Sequence, residues 1–427
     1  MMREPWLQFY RLATTALGPI APALLALRRR KGKEDARRIS ERLGFAGAQR
    51  SDKPVAWLHG ASVGEGLALM PLVERLVERG FQVLVTTGTV TSASVIASRL
   101  PAGAVHQYVP LDVPKFFVRF LDHWRPAIAL VAESELWPNM LNETNLRRIP
   151  LVLVNARLSE RSFQRWQKFP RVISALLRRI DLCLAQSQED AGRLMQLGAP
   201  RVQVSGNLKY DVAAPPVDNA RLAAIAASIG SRPIWIAAST HAGEEAIAIE
   251  AHQQLAKRFP LLTIIAPRHP ERGPEIAALA SSLGTSVTLR STGVDPDRES
   301  AVYVADTMGE MGLFYRLANV VFLGKSLTSG GGQNPIEPAK LGCAILHGPR
   351  VENFADVYRE LDQARASIEV GDADTLGRAI ALLFTDSANA RRLARAASEV
   401  VEKLGGATDN IMSALEPYFM QMRVERR

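Results

Sequence analysis

Trp57-Leu58-His59-Gly60-Ala61-Ser62-Val63-Gly64-Glu65-Gly66 runs from an apolar strand through glycines into a helix, and its reading decides the fold. Val55 to His59 reads as a strand, Gly60 to Gly64 as a tight turn, and Gly66 to Val77 as a helix whose apolar positions include Leu67, Leu69, Met70, Leu72, Val73, Leu76 and Val77. Such a junction leaves backbone N–H groups at the helix N-terminus facing a crevice. Glu65 in that first turn repels a phosphate seated directly on those amides. Two roles are open to it: partner of the helix dipole, worth roughly 0.3 to 1 kcal/mol, or a general base beside glycines that admit a substrate close to the backbone.

Outward from this stretch, apolar strands alternate with helices, the pattern of a doubly wound α/β sheet. Strands are expected at Val55 to His59, Gln82 to Thr86, Val105 to Val109, Ile128 to Glu133, Leu151 to Val154, Leu182 to Ala185 and Val202 to Ser205. Ligands of open parallel sheets sit beyond strand C-termini, where Glu65, Thr86, Thr87, Glu133 and Glu135 fall. Asn207 to Asn219, rich in Ala and Pro, reads as a linker. A second series follows at Ile234 to Ala238, Leu262 to Ala266, Ser286 to Leu289, Ala301 to Val304, Val320 to Leu323 and Ala344 to Leu346. Two α/β halves joined by a linker place the expected active site in a cleft between them. From Asp374 onward the pattern is helical, and these helices are expected outside, with a return to the first half open.

At 427 residues the chain exceeds one ordinary core. Cys183 and Cys343 are its two cysteines, which argues for a reducing compartment and against a disulfide or zinc framework. The net charge of +9 suggests an anionic partner, and without aromatic-rich basic motifs nucleic acid ranks last. The uncharged run Leu12 to Leu27 is short of the ~20 residues of a spanning helix, is interrupted by Gly18, Pro19 and Pro22, and precedes Arg28, Arg29, Arg30, Lys31 and Lys33. An interfacial or shallowly inserted anchor fits better, with Trp6 and Tyr10 at headgroup depth and the basic cluster on anionic lipid. Arg37, Arg38, Arg42, Glu34, Asp35 and Glu41 read as a solvated or lipid-facing helix.

The second half carries the features of a nucleotide site. Arg268 ends a strand between prolines and suits a phosphate or base. Asp306 to Gly312 can open a helix toward a ligand, and the loop Gly324 to Gln333 feeds Asn334-Pro335-Ile336-Glu337, where Glu337 can accept both hydroxyls of a ribose. Asp295-Pro296-Asp297 has the spacing of a metal-binding pair but reads as a turn. The histidines lack zinc spacing, and no P-loop, G-x-G-x-x-G or Gly-x-Ser-x-Gly element is present.

His59-Gly60-Ala61-Ser62-Val63-Gly64-Glu65, Glu133-Ser134-Glu135-Leu136-Trp137-Pro138-Asn139, Gly206-Asn207-Leu208-Lys209-Tyr210-Asp211, Ala238-Ser239-Thr240-His241, Pro267-Arg268-His269-Pro270 and Gly332-Gln333-Asn334-Pro335-Ile336-Glu337 occur in this order. Together they resemble the Kdo transferases of lipopolysaccharide synthesis (3-deoxy-D-manno-oct-2-ulosonic acid transferases), over essentially the whole chain. The resemblance implies a GT-B glycosyltransferase of two Rossmann-like domains. Its expected boundaries are a membrane anchor with basic flank at 1–33, an acceptor domain at 34–207 and a CMP-sugar domain with terminal helices at 208–427. It further implies CMP-Kdo as donor, the tetraacyldisaccharide lipid A precursor (lipid IVA) as acceptor, contact with anionic lipid at the cytoplasmic face of the inner membrane, inversion at the anomeric carbon, and no cofactor or metal.

Carried onto matching positions, the resemblance makes Glu65 the general base, and Glu135 and Lys209 supports of the transition state. It places CMP on Arg268 and His269, on Gly309, Glu310 and Met311, and on Asn334, Pro335, Ile336 and Glu337. Glu133 rivals Glu135, since strand alternation would put both on one face, and Trp137 reads as packing. Ala242 departs from the bulkier polar residue common after the family's Ser-Thr-His. A nucleotide-sugar epimerase of the same two-domain architecture is the alternative.

Overall fold

The computed structural model describes residues 4–425. These fall into two compact units: the chain up to Val212 together with the stretch from Gly405 onward, and Ala213–Leu404. In the first unit β1 (Val55–His59), β2 (Gln82–Thr87), β3 (Ala104–Tyr108), β4 (Ile128–Ala132), β5 (Leu151–Ala156), β6 (Leu182–Ala185) and β7 (Val202–Val204) form one sheet in the order β3-β2-β1-β4-β5-β6-β7. Every pairing is parallel. Parallel sheets are covered by helices on both faces, so their strands read as continuous apolar runs. One face of this sheet packs Trp57, Leu84, Phe117, Phe120 and Trp124; the other packs Leu58, Leu72, Leu76 and Val83.

In the second unit β8 (Ile234–Thr240), β9 (Leu262–Pro267), β10 (Val287–Leu289), β11 (Val302–Val304), β12 (Val320–Leu323), β13 (Ala344–His347) and β14 (Ser367–Glu369) form a second parallel sheet in the order β10-β11-β9-β8-β12-β13-β14. Each expected strand is present within a residue or two. β14 is additional: three residues at a sheet edge carry too little apolar pattern to stand out. The order of each sheet reverses at its first strand, so crevices open at the C-terminal ends of β1 and β4 and of β8 and β12. The expected helix Gly66 to Val77 is two helices, Val63–Ala68 and Met70–Glu78, because Pro71 starts a new helix after Leu69.

The terminal helix Ala407–Glu425 leaves the second unit and closes the first. Ile411, Met412, Leu415 and Phe419 are buried against the β1 and β2 face, and Arg79 pairs with Glu416 at 2.6 Å. Asp211 accepts from Gly406 N at 2.8 Å and from Thr408 N, capping this helix. A domain of 208–427 is therefore corrected: residues 208–212 and those from 405 onward belong with the first sheet. Leu208 is buried there, so the expected linker is in fact structure at its start.

The expected anchor at 1–33 begins in residues 1–3, which lie outside the described ones. Pro5–Arg30 is one helical run of 26 residues, long and apolar enough by length and composition to cross a membrane. Gly18, Pro19 and Ile20 form a single 3-10 turn between its two α segments, so the prolines redirect the helix without ending it. Several polar groups at its start bind the protein: Tyr10 donates to Asp112 at 3.0 Å, Arg11 pairs with Glu143, the N-cap residue Glu4 pairs with Arg179, and Thr14 accepts from Asn139. Its apolar side chains divide: Leu7, Ala21 and Leu25 are buried against the protein, while Phe9 is 74% and Leu12 71% exposed and Leu17, Ile20, Leu24 and Leu27 are also exposed. An outer face carrying these six large apolar side chains is unlike the polar outer face of a water-soluble amphipathic helix.

The segment behind it differs from expectation. Glu34, Glu41 and Arg42 are buried, not solvated. Glu34 pairs with Arg28 and Arg42, Glu41 accepts from Tyr108 N and from Arg38, and Arg42 donates to Val109 O. These carboxylates and guanidinium groups clamp the basic end of Pro5–Arg30 to the edge of the sheet at β3.

Candidate active site

The turn after β1 places Glu65 by two local devices. Ser62 caps the helix Val63–Ala68 by accepting from Glu65 N at 3.2 Å. The Glu65 carboxylate reaches back, accepting from Ser62 Oγ at 2.7 Å and from Ala61 N at 2.8 Å. This is a capping box shifted by one residue. It leaves each carboxylate oxygen a further lone pair for another donor. Burial pushes the Glu65 carboxyl up; the Ser62 and Ala61 bonds oppose this, and Glu133 and Glu135 add repulsion that also raises it. Cap and poised base are thus compatible: the cap fixes the carboxylate, and its surroundings raise its proton affinity.

The two rival carboxylates separate. β4 ends at Ala132, and Glu133 has φ +53°, a left-handed conformation of the kind stored at functional sites at roughly 1 to 3 kcal/mol. Strand alternation stops there, so the expectation of a shared strand face does not apply. Glu133 accepts from Lys209 Nζ at 2.8 Å. Glu135 accepts from Trp137 Nε1 at 2.6 Å and faces His59 Nε2 at 3.9 Å. Burial works to raise the Glu135 carboxyl, but the facing His59 ring, when it carries a proton on Nε2, and the Trp137 N–H outweigh it and hold it below the ordinary value. Lys209 is carried in by the 3-10 turn Leu208–Tyr210, which Asn155 pins by accepting from Leu208 N at 2.9 Å.

Glu135 opens on a cavity of about 280 Å³ lined by His59, Ala61, Val109, Leu111, Phe117 and Trp137 among others. Trp137 is 47% exposed on its rim, where packing had been expected. Asp112, also in the wall, caps the helix Pro138–Leu146 through Asn139 N and Met140 N and holds Tyr10. The helical run Pro5–Arg30 is thereby tied to the helix that directly follows the Glu135 to Trp137 turn.

In the second unit the expected nucleotide residues gather at strand ends. Arg268 and His269 follow β9 and are exposed; the His269 ring meets His241 edge-on at 5.9 Å. Gly309, with φ +85°, and Glu310 precede the short helix Met311–Leu317. The Glu310 carboxylate is held by Arg290 at 2.7 and 3.0 Å and by Thr307, an engagement absent from the sequence reading. Asn334 accepts from Ile336 N at 3.0 Å, starting the helix Ile336–Lys340 that carries half-buried Glu337, with Pro335 as its N-cap. Asp297 accepts from the backbone of its own turn and Asp295 pairs with Arg221 and Arg290, in keeping with a turn.

Two residues stand out that sequence reasoning did not assign. His59 was visible only as a motif letter; its buried, unbonded Nε2 is a three-dimensional fact. Glu244, fully buried, accepts from His241 N, Lys325 N, Ser326 N and Leu327 N at 2.7 to 3.0 Å. It ties the turn after β8 to the glycine-rich loop after β12. A carboxylate at a helix start followed by a Gly-rich loop some eighty residues on gives no sequence signal of that bond.

Residues 37–212 match the family model described as 3-deoxy-D-manno-octulosonic-acid transferase (kdotransferase). A 3-deoxy-D-manno-octulosonic acid transferase of Haemophilus influenzae is 34% identical over 425 residues, covering 97% of this chain and 99% of the relative. Among solved structures, a glycosyltransferase from Rickettsia africae aligns with TM-score 0.59 at 12% identity, over 86% of this chain and 98% of that one. The UDP-GlcNAc 2-epimerase of Neisseria meningitidis bound to UDP-GlcNAc aligns with TM-score 0.59 at 14% identity, over 85% and 100%. At such identities these two likenesses define the fold alone. Two doubly wound parallel units with polar residues at their strand ends make this an α/β protein of the GT-B class. Within that class, the chain belongs to the 3-deoxy-D-manno-octulosonic-acid (Kdo) transferase family, glycosyltransferases of lipopolysaccharide synthesis.

Proposed function

We propose that the protein moves Kdo from CMP-Kdo to the tetraacyldisaccharide lipid A precursor by a single inverting displacement, with Glu65 as general base. The observation that carries this reading is the Glu65 carboxylate, fixed by Ala61 N and Ser62 Oγ and raised in proton affinity by burial and two neighbouring carboxylates. In the proposed step Glu65 takes the acceptor hydroxyl proton as the oxygen bonds to the anomeric carbon. The bond from that carbon to the CMP phosphate breaks, and CMP leaves with the electron pair. Glu135 offsets the positive charge that develops on the sugar ring. Lys209, held by Glu133, offsets the negative charge on the leaving phosphate.

CMP is proposed to bind through Arg268, His269, Gly309 to Met311 and Asn334 to Glu337, and no metal or cofactor is proposed to take part. The outward apolar face of Pro5–Arg30 and the basic residues after it support work at a membrane surface, proposed as the cytoplasmic face of the inner membrane, where the acylated acceptor resides. The test is incubation of the full chain with CMP-Kdo and the lipid precursor, with and without EDTA, following CMP release and lipid mass. Equal transfer in both supports the reading. CMP release without a heavier lipid, or transfer abolished by EDTA and restored by a metal, contradicts it.

A further inference from the structure

His59 sits at the end of β1, 1% exposed, in the cavity wall beside Glu135. Its ring is held from behind: Nδ1 lies 3.1 Å from the Thr86 carbonyl oxygen and 3.0 Å from Thr86 Oγ1. A carbonyl oxygen can only accept, so the neutral ring carries its hydrogen on Nδ1 and presents a lone pair at Nε2. The Thr86 hydroxyl is consistent with this, accepting from Trp57 Nε1 at 2.9 Å and donating toward Leu58 O at 3.4 Å. Nε2 has no hydrogen-bond partner among the described residues. It faces Glu135 Oε2 at 3.9 Å, too far for a direct hydrogen bond, and Oε2 is itself positioned by Trp137 Nε1.

Two acceptors therefore stand side by side, each fixed by the protein and both opening on one cavity. An unsatisfied buried acceptor costs roughly 1 to 3 kcal/mol, a cost that a donor-bearing ligand would relieve. The remaining wall, with Val109, Leu111, Phe117 and Trp137, offers an apolar face of the kind that packs on the C–H side of a sugar ring. Ala61, whose N–H holds Glu65, lines the same cavity.

We propose that His59 Nε2 and Glu135 Oε2 form a paired-acceptor subsite for two adjacent hydroxyls of a sugar, one donating to each, and that His59 is a specificity-determining residue. This rests on the proposed function, in which Kdo, an eight-carbon sugar acid with several hydroxyls, brings the diol. That diol can arrive on the donor or on a Kdo already attached to the lipid.

The test compares His59→Asn and His59→Gln in the full chain. Asn retains a donor toward Thr86 but ends short of Nε2, whereas Gln reaches the Nε2 position with an acceptor. KM is measured for CMP-Kdo, for the lipid precursor and for the precursor bearing one Kdo. His59→Asn, folded like wild type, raises KM roughly tenfold, the worth of one lost hydrogen bond. The rise falls on CMP-Kdo if the donor brings the diol, or on the Kdo-bearing lipid if the attached sugar does, and His59→Gln restores most of it. Unchanged KM values in folded His59→Asn, or a His59→Gln no better than Asn, overturn the subsite. If His59→Asn does not fold, Trp137→Phe releases Oε2 from its donor without touching β1 and should raise the same KM; no change there overturns the subsite equally. A wild type that transfers nothing from CMP-Kdo overturns the functional reading and the subsite together, while wild-type transfer with unaltered variants overturns the subsite alone.

Discussion

Lys209 Nζ donates to Glu133 Oε1 at 2.8 Å, so the carboxylate at the end of β4 already has its cation, whereas Glu135 two residues later faces the cavity. If the pair works as a unit, removing either member leaves the other charge half-buried and misplaced. Lys209→Ala and Glu133→Gln are each expected to lower kcat by about 10²-fold, the usual scale for one lost charged donor. The double variant is expected to be little worse than either single one. A double-mutant cycle on transfer rate checks this, and strict additivity would mean that the ion pair is incidental.

Asp211 caps the helix Ala407–Glu425 from 195 residues away, and that helix covers the β1 and β2 face with Ile411, Leu415 and Phe419. Asp211→Ala should destabilise the first unit by about 1 to 2 kcal/mol, the loss of an N-cap. Urea unfolding followed at Trp57 and Trp124, both buried in that unit, reads it directly.

His106 is a half-buried ring and His252 a buried one. Burial first, and then Arg38, lower His106 from 6.5 to about 3; burial and Arg232 lower His252 from 6.5 to about 4. The unfolded rings take a proton near 6.5 while the folded ones do not, so the unfolded state binds more protons below that pH. Stability is therefore expected to fall as pH drops from about 6.5 toward 4, with each ring contributing up to one proton to the slope. His106→Gln should flatten that slope in thermal melts taken across this window; an unchanged slope would contradict the assignment.

The outward face of Pro5–Arg30 gives a third kind of test. Replacing exposed Phe9 and Leu12 by serine touches no core packing and should leave the melting temperature unchanged while reducing association with anionic vesicles in a flotation assay. Undiminished flotation would move the membrane contact elsewhere.

The sheets were legible because buried parallel strands write unbroken apolar runs, as Val55 to Leu58 and Leu151 to Val154 do. Burial of the charged segment was less so: Glu41 and Arg42 looked solvated because partners at β3 and its end lie some seventy residues away, and Glu34 is buried through its pairs with Arg28 and that same Arg42. Pro71 marks a helix start that periodicity ran through. At the site, the Glu65 turn was visible in its glycines and carboxylate. The separation of Glu133 from Glu135 was not, because the left-handed residue that breaks the alternation is a glutamate and not a glycine. Nor could spacing reveal that Glu310 is held by Arg290, or that Glu244 organises the loop after β12.

The central claim, that Glu65 is the base, is tested most directly by Glu65→Gln, which can still accept a bond from Ala61 N and so retains part of the helix cap. Melting temperature, CMP affinity and transfer from CMP-Kdo to the lipid precursor are measured on the same preparation. Folding and CMP binding are expected to be unchanged while transfer falls by about 10² to 10⁴-fold, the contribution of a positioned base. A folded, CMP-binding Glu65→Gln that still transfers at the wild-type rate would contradict it and return Glu65 to the role of helix cap alone.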